Sequence, residues 1–496
     1  MVVESSSRLG LLRRSPAFGL LFLATAGSSF GTYLAAVALT LHIKALTDSG
    51  VWVAALLIAD FLPIVVIGLL LGPLVDRLSR RGLMVVSDIV RFGVFAALPF
   101  ANSPEALVAL AGVVGIATGF FRPAAYAGVP NLVPHDELTN ANSLLQTIET
   151  LAWMIGPVLG ALMFAGWGPD VPYVVNAVTF LVSAALVAGI PDRKLRSAEP
   201  LTGGHWRDVA DGLRLVLTSA PLRTVLIVWN VVLLGSAAIN VAEVFYAQDV
   251  LDAGDVGFGV IVATRGVGLA VGSYLAAPAL RKVGLRRHYV GSIALLAVGW
   301  GGAALSPSIW IAIPCVIGGA AGNGAAIVCN HILVQRGAPD RYRGRALATI
   351  FSFNYAVLGL GMAGAGILTE VYGAREVWLA ASAIFLIAGV IALAMTRWLP
   401  IASTDADDVL EAHARAAVSA LVGVEDFDEP RAPYVPAHEP TKRPLPEPEP
   451  AQAATSGLER IANLLERIER RRALERTKTT PGRTACQRAP RIPVTA

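Results

Sequence analysis

The sequence predicts an all-α membrane protein: twelve transmembrane helices in two pseudo-symmetric six-helix bundles, with a largely disordered cytoplasmic C-terminal tail. Three observations carry this. Hydrophobic residues make up 55% of the 496 and charged residues only 15%, against roughly 25% charged in an ordinary soluble domain. Over residues 1–400, apolar runs recur that are each long enough to cross about 30 Å of hydrocarbon as a helix. The run pattern also repeats at a shift of 205 residues.

The apolar runs predict spans near 17–43, 50–74, 83–101, 105–126, 140–166, 171–190, 222–247, 256–280, 288–305, 308–332, 343–370 and 376–397. The first is too long for the apolar core of a cleavable signal peptide. Glycines cluster inside the spans, as in "GGAAGNG" (318–324) and "GLGMAGAG" (359–366). Such residues weaken a soluble helix but let helices approach closely in lipid. Lys and Arg crowd one set of connections: Arg13 and Arg14 before span one, Arg80 and Arg81 after span two, Arg286 and Arg287 after span eight. The opposite set holds little beyond Lys44 and Arg375. That bias places both termini in the cytoplasm of a cell (plasma) membrane protein. The loop between spans four and five, with His135, Asp136 and Glu137, is the exception.

The 205-residue shift lays Gly72-Pro73 on Ala277-Pro278, Pro134 on Pro339, Ala141 on Ala346 and Gly156 on Gly361, with no gap. It predicts an N-terminal bundle at 1–190, a cytoplasmic loop at 191–221 and a C-terminal bundle at 222–400. Parallel halves with a site between them are a transporter architecture. From 401 to 450 acids outnumber bases and the segment ends Pro-rich, so disorder is expected. Residues 457–476, "GLERIANLLERIERRRALER", then space Leu458, Ile461, Leu465 and Ile468 by three and four. This amphipathic helix fits a solvated helix, a partner-binding helix or one lying on the anionic inner leaflet.

Other classes are excluded or left open by composition. Cys315 and Cys329 would lie about 21 Å apart on one helix, so neither a disulfide framework nor a metal cluster follows. No phosphate-cradling G-x-x-x-x-G-K-[ST] pattern occurs, which argues against an ATP-driven pump. A net charge of +4 argues neither for nor against nucleic acid, and none is expected as a partner. No covalent chemistry is implied, so the chain is not expected to be an enzyme and needs no cofactor.

"GPLVDRLSRR" (72–81) carries the first resemblance. Its Gly72, Asp76, Arg77, Arg80 and Arg81 resemble the loop signature between spans two and three of the major facilitator superfamily, with Ser79 where a second glycine is usual. The resemblance implies that the loop steadies one state of a rocking transporter, because an acid at a helix N-terminus changes free energy when that helix moves away. "WMIGPVLGALM" (153–163) resembles the antiporter motif of the same superfamily through Gly156, Pro157 and Gly160, with Ala161 where a final glycine is common. That motif is associated with exporters. "FFRPAAYAGVPNLVPHDELTNANSLLQ" (120–146) is similar to the stretch linking spans four and five in the drug–proton antiporter branch that includes macrolide and siderophore exporters.

Ionisable groups within spans mark functional candidates. Asp60 in span two and Glu149 in span five are proton-coupling candidates. Asp60 and Arg265 of span eight are repeat equivalents, 205 apart. In the resembled fold span five packs beside span eight and span two beside span eleven, so Glu149 and Arg265 are expected to approach as a gating ion pair, and Asp60 to face Asn354. Asp88 and Arg91 are expected as a structural pair, and Glu243 to reach water near the outer end of span seven. Ser29, Thr32 and Tyr33 in span one, with Asn323 and Asn330 in span ten, are cavity-lining candidates. The reading is a proton-gradient-driven exporter of small amphiphilic molecules, bacterial, transporting as a monomer, with the tail open to a protein partner. An importer in the same fold, or a non-transporting scaffold acting through the tail, are the alternatives.

Overall fold

The computed structural model of the protein describes residues 8–70, 78–192, 195, 205–338, 340–397 and 399. Among these residues the regular structure is helical, with no strand. Twelve long helices form the body: α1 Pro16–Thr47, α2 Gly50–Leu70, α3 Arg80–Ala97, α4 Pro104–Gly128, α5 Leu138–Trp167, α6 Asp170–Ala188, α7 Ala220–Phe245, α8 Gly254–Val283, α9 Leu285–Ala304, α10 Ile309–Gly337, α11 Asp340–Tyr372 and α12 Ala374–Thr396. Eleven stretches, one on each long helix except α9, are long and apolar enough to cross a membrane. The exception opens with Arg286, Arg287 and His288 and carries Gly299, Gly301 and Gly302. It still packs between α10 and α12.

Several helices outrun the apolar runs that announced them. α10 continues to Gly337 and α1 to Thr47, because the backbone ladder needs no apolar side chain to persist. The connection 191–221, expected as a loop, contains the helix His205–Thr218. That helix docks on α11 and α7, with Val216 fully buried. A short helix, Arg8–Arg14, precedes α1. The tail with its 457–476 helix, and Gly72, Asp76 and Arg77 of the loop motif, lie outside the described residues.

The packing order repeats between halves. In the N-terminal half α1 packs on α5 and α6, α2 on α4, and α3 on α4 and α6; in the C-terminal half α7 packs on α11 and α12, α8 on α10, and α9 on α10 and α12. Adding six to each helix number converts one list into the other, so the 205-residue repeat is a repeat of packing. The halves meet chiefly where α5 lies on α8 and α2 on α11, the two pairings the resemblance implies. Exposed aromatic side chains, Phe100, Trp167, Trp310 and Tyr372, lie in the α3–α4 connection, at the end of α5, at the start of α10 and at the end of α11. These fall at one end of the bundle, where an interfacial belt belongs.

Candidate functional site

Asp60 points from α2 into a cavity bounded by α1 to α4, beside Thr32, Thr40, Leu57, Phe95 and Val114. Its side chain is exposed and open to that cavity. α4 can come this close because of Gly115: a Cβ there would stand 2.2 Å from the Asp60 carbonyl oxygen. Among the described residues Asp60 has no ion-pair partner. The expected hydrogen bond from Asn354 is not made; Asn354 is buried on α11 and its amide oxygen is unpartnered.

Three other acids within the spans, Glu149, Glu243 and Asp88, are each paired with an arginine. Arg122 of α4 donates to Glu149 of α5, Nη2 to Oε2, at 3.1 Å. Tyr126, one turn along α4, and Tyr33 of α1 lie near this pair. In the other half Arg265 donates Nη1 to Glu243 Oε2 at 2.6 Å and Nη2 to Asn240 Oδ1 at 2.7 Å. The Glu149–Arg265 pair is therefore not formed here. Each finds an opposite charge within its own bundle, where packing fixes the geometry, and neither has to reach across. Glu243, expected to reach water, is only 3% exposed. Asp88 and Arg91 do pair, one turn apart on α3. Ser183 donates to the second Asp88 oxygen at 2.7 Å, and the guanidinium lies 4.4 and 4.3 Å from the Phe121 and Phe180 ring centroids.

The antiporter motif is a close-packing device. A Cβ on Gly156 would stand 2.8 Å from the Tyr33 Cβ, and one on Gly160 only 2.1 Å from the Leu34 carbonyl oxygen, so α5 lies hard against α1. On its other side α5 meets α8, where a Cβ on Gly259 would stand 2.5 Å from the Ala161 Cβ and 2.7 Å from the Pro157 carbonyl oxygen. The glycine missing at position 161 is thus supplied by the facing helix.

In the loop motif, Ser79 is the N-cap of α3 and accepts from the Gly82 amide at 3.1 Å while donating to Asp192 at 2.7 Å. A cap explains a serine where the superfamily signature has glycine. Arg81 donates to the carbonyl of Ala188 at the end of α6, where the helix dipole favours a cation, and Arg80 to the carbonyl of Leu195 beyond it. Of the cavity candidates, Thr32 lines the Asp60 cavity and Asn323 lines a second cavity beside Arg265. Ser29 and Tyr33 are partly buried on α1. Asn330 is buried and accepts from the Tyr289 hydroxyl at 2.8 Å, a bond internal to the C-terminal half.

Two cross-half contacts escaped the reading of the sequence. At the end of the bundle away from Arg14, Lys44 of α1 donates to Asp249, just beyond α7, at 2.9 Å and to Asp48 at 3.1 Å, over the Phe245 ring. Ser49 donates to Glu370 of α11 at the same end. The signal was present: 249 minus 44 is 205, so opposite charges sit at repeat-equivalent positions, and equivalent residues meet only on the pseudo-two-fold axis.

Two matched six-helix bundles, with charges lodged along their inner faces, define a secondary membrane transporter of the major facilitator superfamily. Within it the chain belongs to the transmembrane secretion effector family, whose model matches residues 7–424. Relatives include the multidrug efflux pump Tap of Mycolicibacterium fortuitum, 28% identical over 407 residues covering 78% of this chain and 97% of that one. Macrolide efflux protein A of Streptococcus pyogenes is 22% identical over 245 residues, 48% of this chain and 60% of that one. Among solved structures, a bacterial homologue of the iron transporter ferroportin in an inward-facing state superposes with TM-score 0.63 at 16% identity, covering 77% of this chain and 99% of that one. The nucleoside transporter NupG does so with TM-score 0.63 at 14% identity, covering 77% and 98%. These two share the fold alone. The chain is a multi-pass membrane transporter, not an enzyme.

Proposed function

We propose that this transporter exports cationic amphiphilic small molecules in exchange for protons, in the plasma membrane of a bacterium, with both termini cytoplasmic. The observation that carries the reading is Asp60. It is the mid-span acid that opens to a cavity without a counter-charge among the described residues, while Glu149, Glu243 and Asp88 are each held by an arginine. A carboxylate without a counter-charge can take up a proton or pair with an organic cation, and it cannot hold both at once. That exclusion is what an antiporter requires. The apolar walls around Asp60 suit the remainder of an amphiphile. The efflux relatives support the outward direction.

Alternating access supplies the motion. The Lys44–Asp249 and Ser49–Glu370 contacts tie the halves together at one end, and we take over to them the gating role expected of Glu149 and Arg265. The Glu149–Arg122 pair supports a structural role within its own half, leaving Asp60 as the coupling acid.

Everted membrane vesicles with an imposed pH gradient and tetraphenylphosphonium as the probe test this. Wild-type protein should concentrate the cation, and Asp60→Asn should abolish accumulation while leaving downhill exchange intact. Accumulation by Asp60→Asn equal to wild type would show that the proton is carried elsewhere.

A further inference from the structure

Four bases crowd the turn between α8 and α9: Arg281, Lys282, Arg286 and Arg287. α8 ends at Val283 and α9 begins at Leu285, so Gly284 alone makes the turn, in a left-handed conformation with φ 77°. Leu285 is buried, while Arg281, Lys282 and Arg287 are exposed and Arg286 is half-buried. Residues 281–287 span at most about 21 Å even when fully extended, so the four long side chains form one patch. None of the four has an ion-pair or hydrogen-bond partner for its side chain among the described residues. The sequence explains why. No aspartate or glutamate occurs between Asp255 and Asp340, so α9, α10 and all but the first turn of α8 offer no carboxylate. The acid of α12, Glu376, stands in its first turn at the opposite end of the bundle. The repeat sharpens the contrast. In the N-terminal half Arg80 and Arg81 donate to backbone carbonyls. At the 205-residue shift Arg81 falls on Arg286, and the loop-motif acid Asp76 falls on Arg281. A base stands where the first half has an acid, and the protein leaves these bases unused. Arg286 and Arg287 also occupy the first turn of α9 with no acid beside them, the helix end where a cation is unfavourable.

The same two helices carry exposed apolar side chains, Leu275 on α8 and Leu295 on α9, six residues before Arg281 and eight after Arg287. At 1.5 Å per residue they lie about 9–12 Å deeper along the helix axes, which sets the bases at the level of lipid headgroups. A basic patch at the edge of an apolar wall matches a molecule with an anionic head and apolar chains. We propose that the α8–α9 turn binds the headgroup of an anionic phospholipid: the four basic side chains donate to its phosphate oxygens, and its acyl chains lie against Leu275 and Leu295. A soluble acidic segment would meet the bases but leave the apolar wall uncovered. α8 also packs on α5 of the other half, so the lipid steadies one end of a helix at the seam between the bundles. The site stands whichever solute the carrier exports.

Native mass spectrometry of the full chain, released from detergent micelles, provides the test, with phosphatidylglycerol and phosphatidylcholine of identical acyl chains. Wild-type protein should hold one phosphatidylglycerol at least about tenfold more tightly than phosphatidylcholine, because each base near the headgroup adds to the attraction. The double variants Arg281→Gln/Lys282→Gln and Arg286→Gln/Arg287→Gln should each cut that preference to within about threefold. Arg214→Gln/Arg223→Gln removes the same charge from exposed positions on the same side of the bundle and should keep it. Without added lipid, the two turn variants should unfold at the wild-type temperature in micelles, since no protein partner is lost; a lower temperature would show that the bases serve the fold and would overturn the lipid site. Absence of a preference in wild type, or its equal loss in the Arg214 and Arg223 variant, would overturn it too. So would displacement of the lipid by glycerol 3-phosphate at equal concentration, which would make the patch a site for soluble phosphate.

Discussion

Removing charges from the Glu243–Arg265 pair separates a structural ion pair from a free functional charge. The two partners are unequally placed: Arg265 is 20% exposed to the cavity, Glu243 3%. Arg265→Gln strands a carboxylate that water cannot reach, and breaking a buried pair from one side costs about 3–5 kcal/mol. Glu243→Gln is milder, about 1–3 kcal/mol. The new amide oxygen still accepts, Arg265 keeps the Asn240 oxygen at 2.7 Å, and its freed N–H groups face the cavity. The double variant leaves two neutral amides and should fall roughly 3 kcal/mol short of the summed single effects, about a hundredfold in the folded-to-unfolded ratio. Equilibrium unfolding in mixed micelles, followed by far-ultraviolet circular dichroism, reads all four proteins. Additivity within about 0.5 kcal/mol, or a larger loss for Glu243→Gln than for Arg265→Gln, would refute the reasoning.

The same cycle on Glu149 and Arg265 should be additive within about 0.5 kcal/mol, because their partners are Arg122 and Glu243 and not each other; a coupling above about 1 kcal/mol would restore the cross-half pair. Lys44→Met and Asp249→Asn should each raise cysteine labelling of the cavity from the Lys44 end, and exchanging the two charges should return it toward wild type; unchanged labelling in all three would remove these residues from any gate. Gly160→Val, which drives side-chain atoms into the Leu34 carbonyl, should lower stability by more than about 3 kcal/mol in the same micelle assay, and a neutral result would mean that α1 and α5 are not in close contact. Ser79→Ala should cost about 1 kcal/mol through the lost cap of α3, with Ser79→Gly milder.

What the sequence determined by itself was everything set by transfer between water and lipid. Twelve apolar runs announced twelve helices, because a backbone in hydrocarbon must satisfy its own hydrogen bonds. The 205-residue shift announced two equivalent bundles, and the glycines of 156–160 announced a tight helix contact. α9 was announced by the apolar run near 288–305, which begins just after its two arginines. Side-chain partners were another matter. Depth along a helix follows from counting residues, and by depth Glu149 and Arg265 looked like a pair. Which way each side chain turns about the helix axis is decided by packing, and packing gave Arg122 to Glu149 and Glu243 to Arg265. It left Asp60 alone for the same reason, since neither Asn354 nor any arginine among the described residues is turned toward it. Lys44 and Asp249 meet because they lie on the pseudo-symmetry axis, which exists only once two bundles have assembled around it.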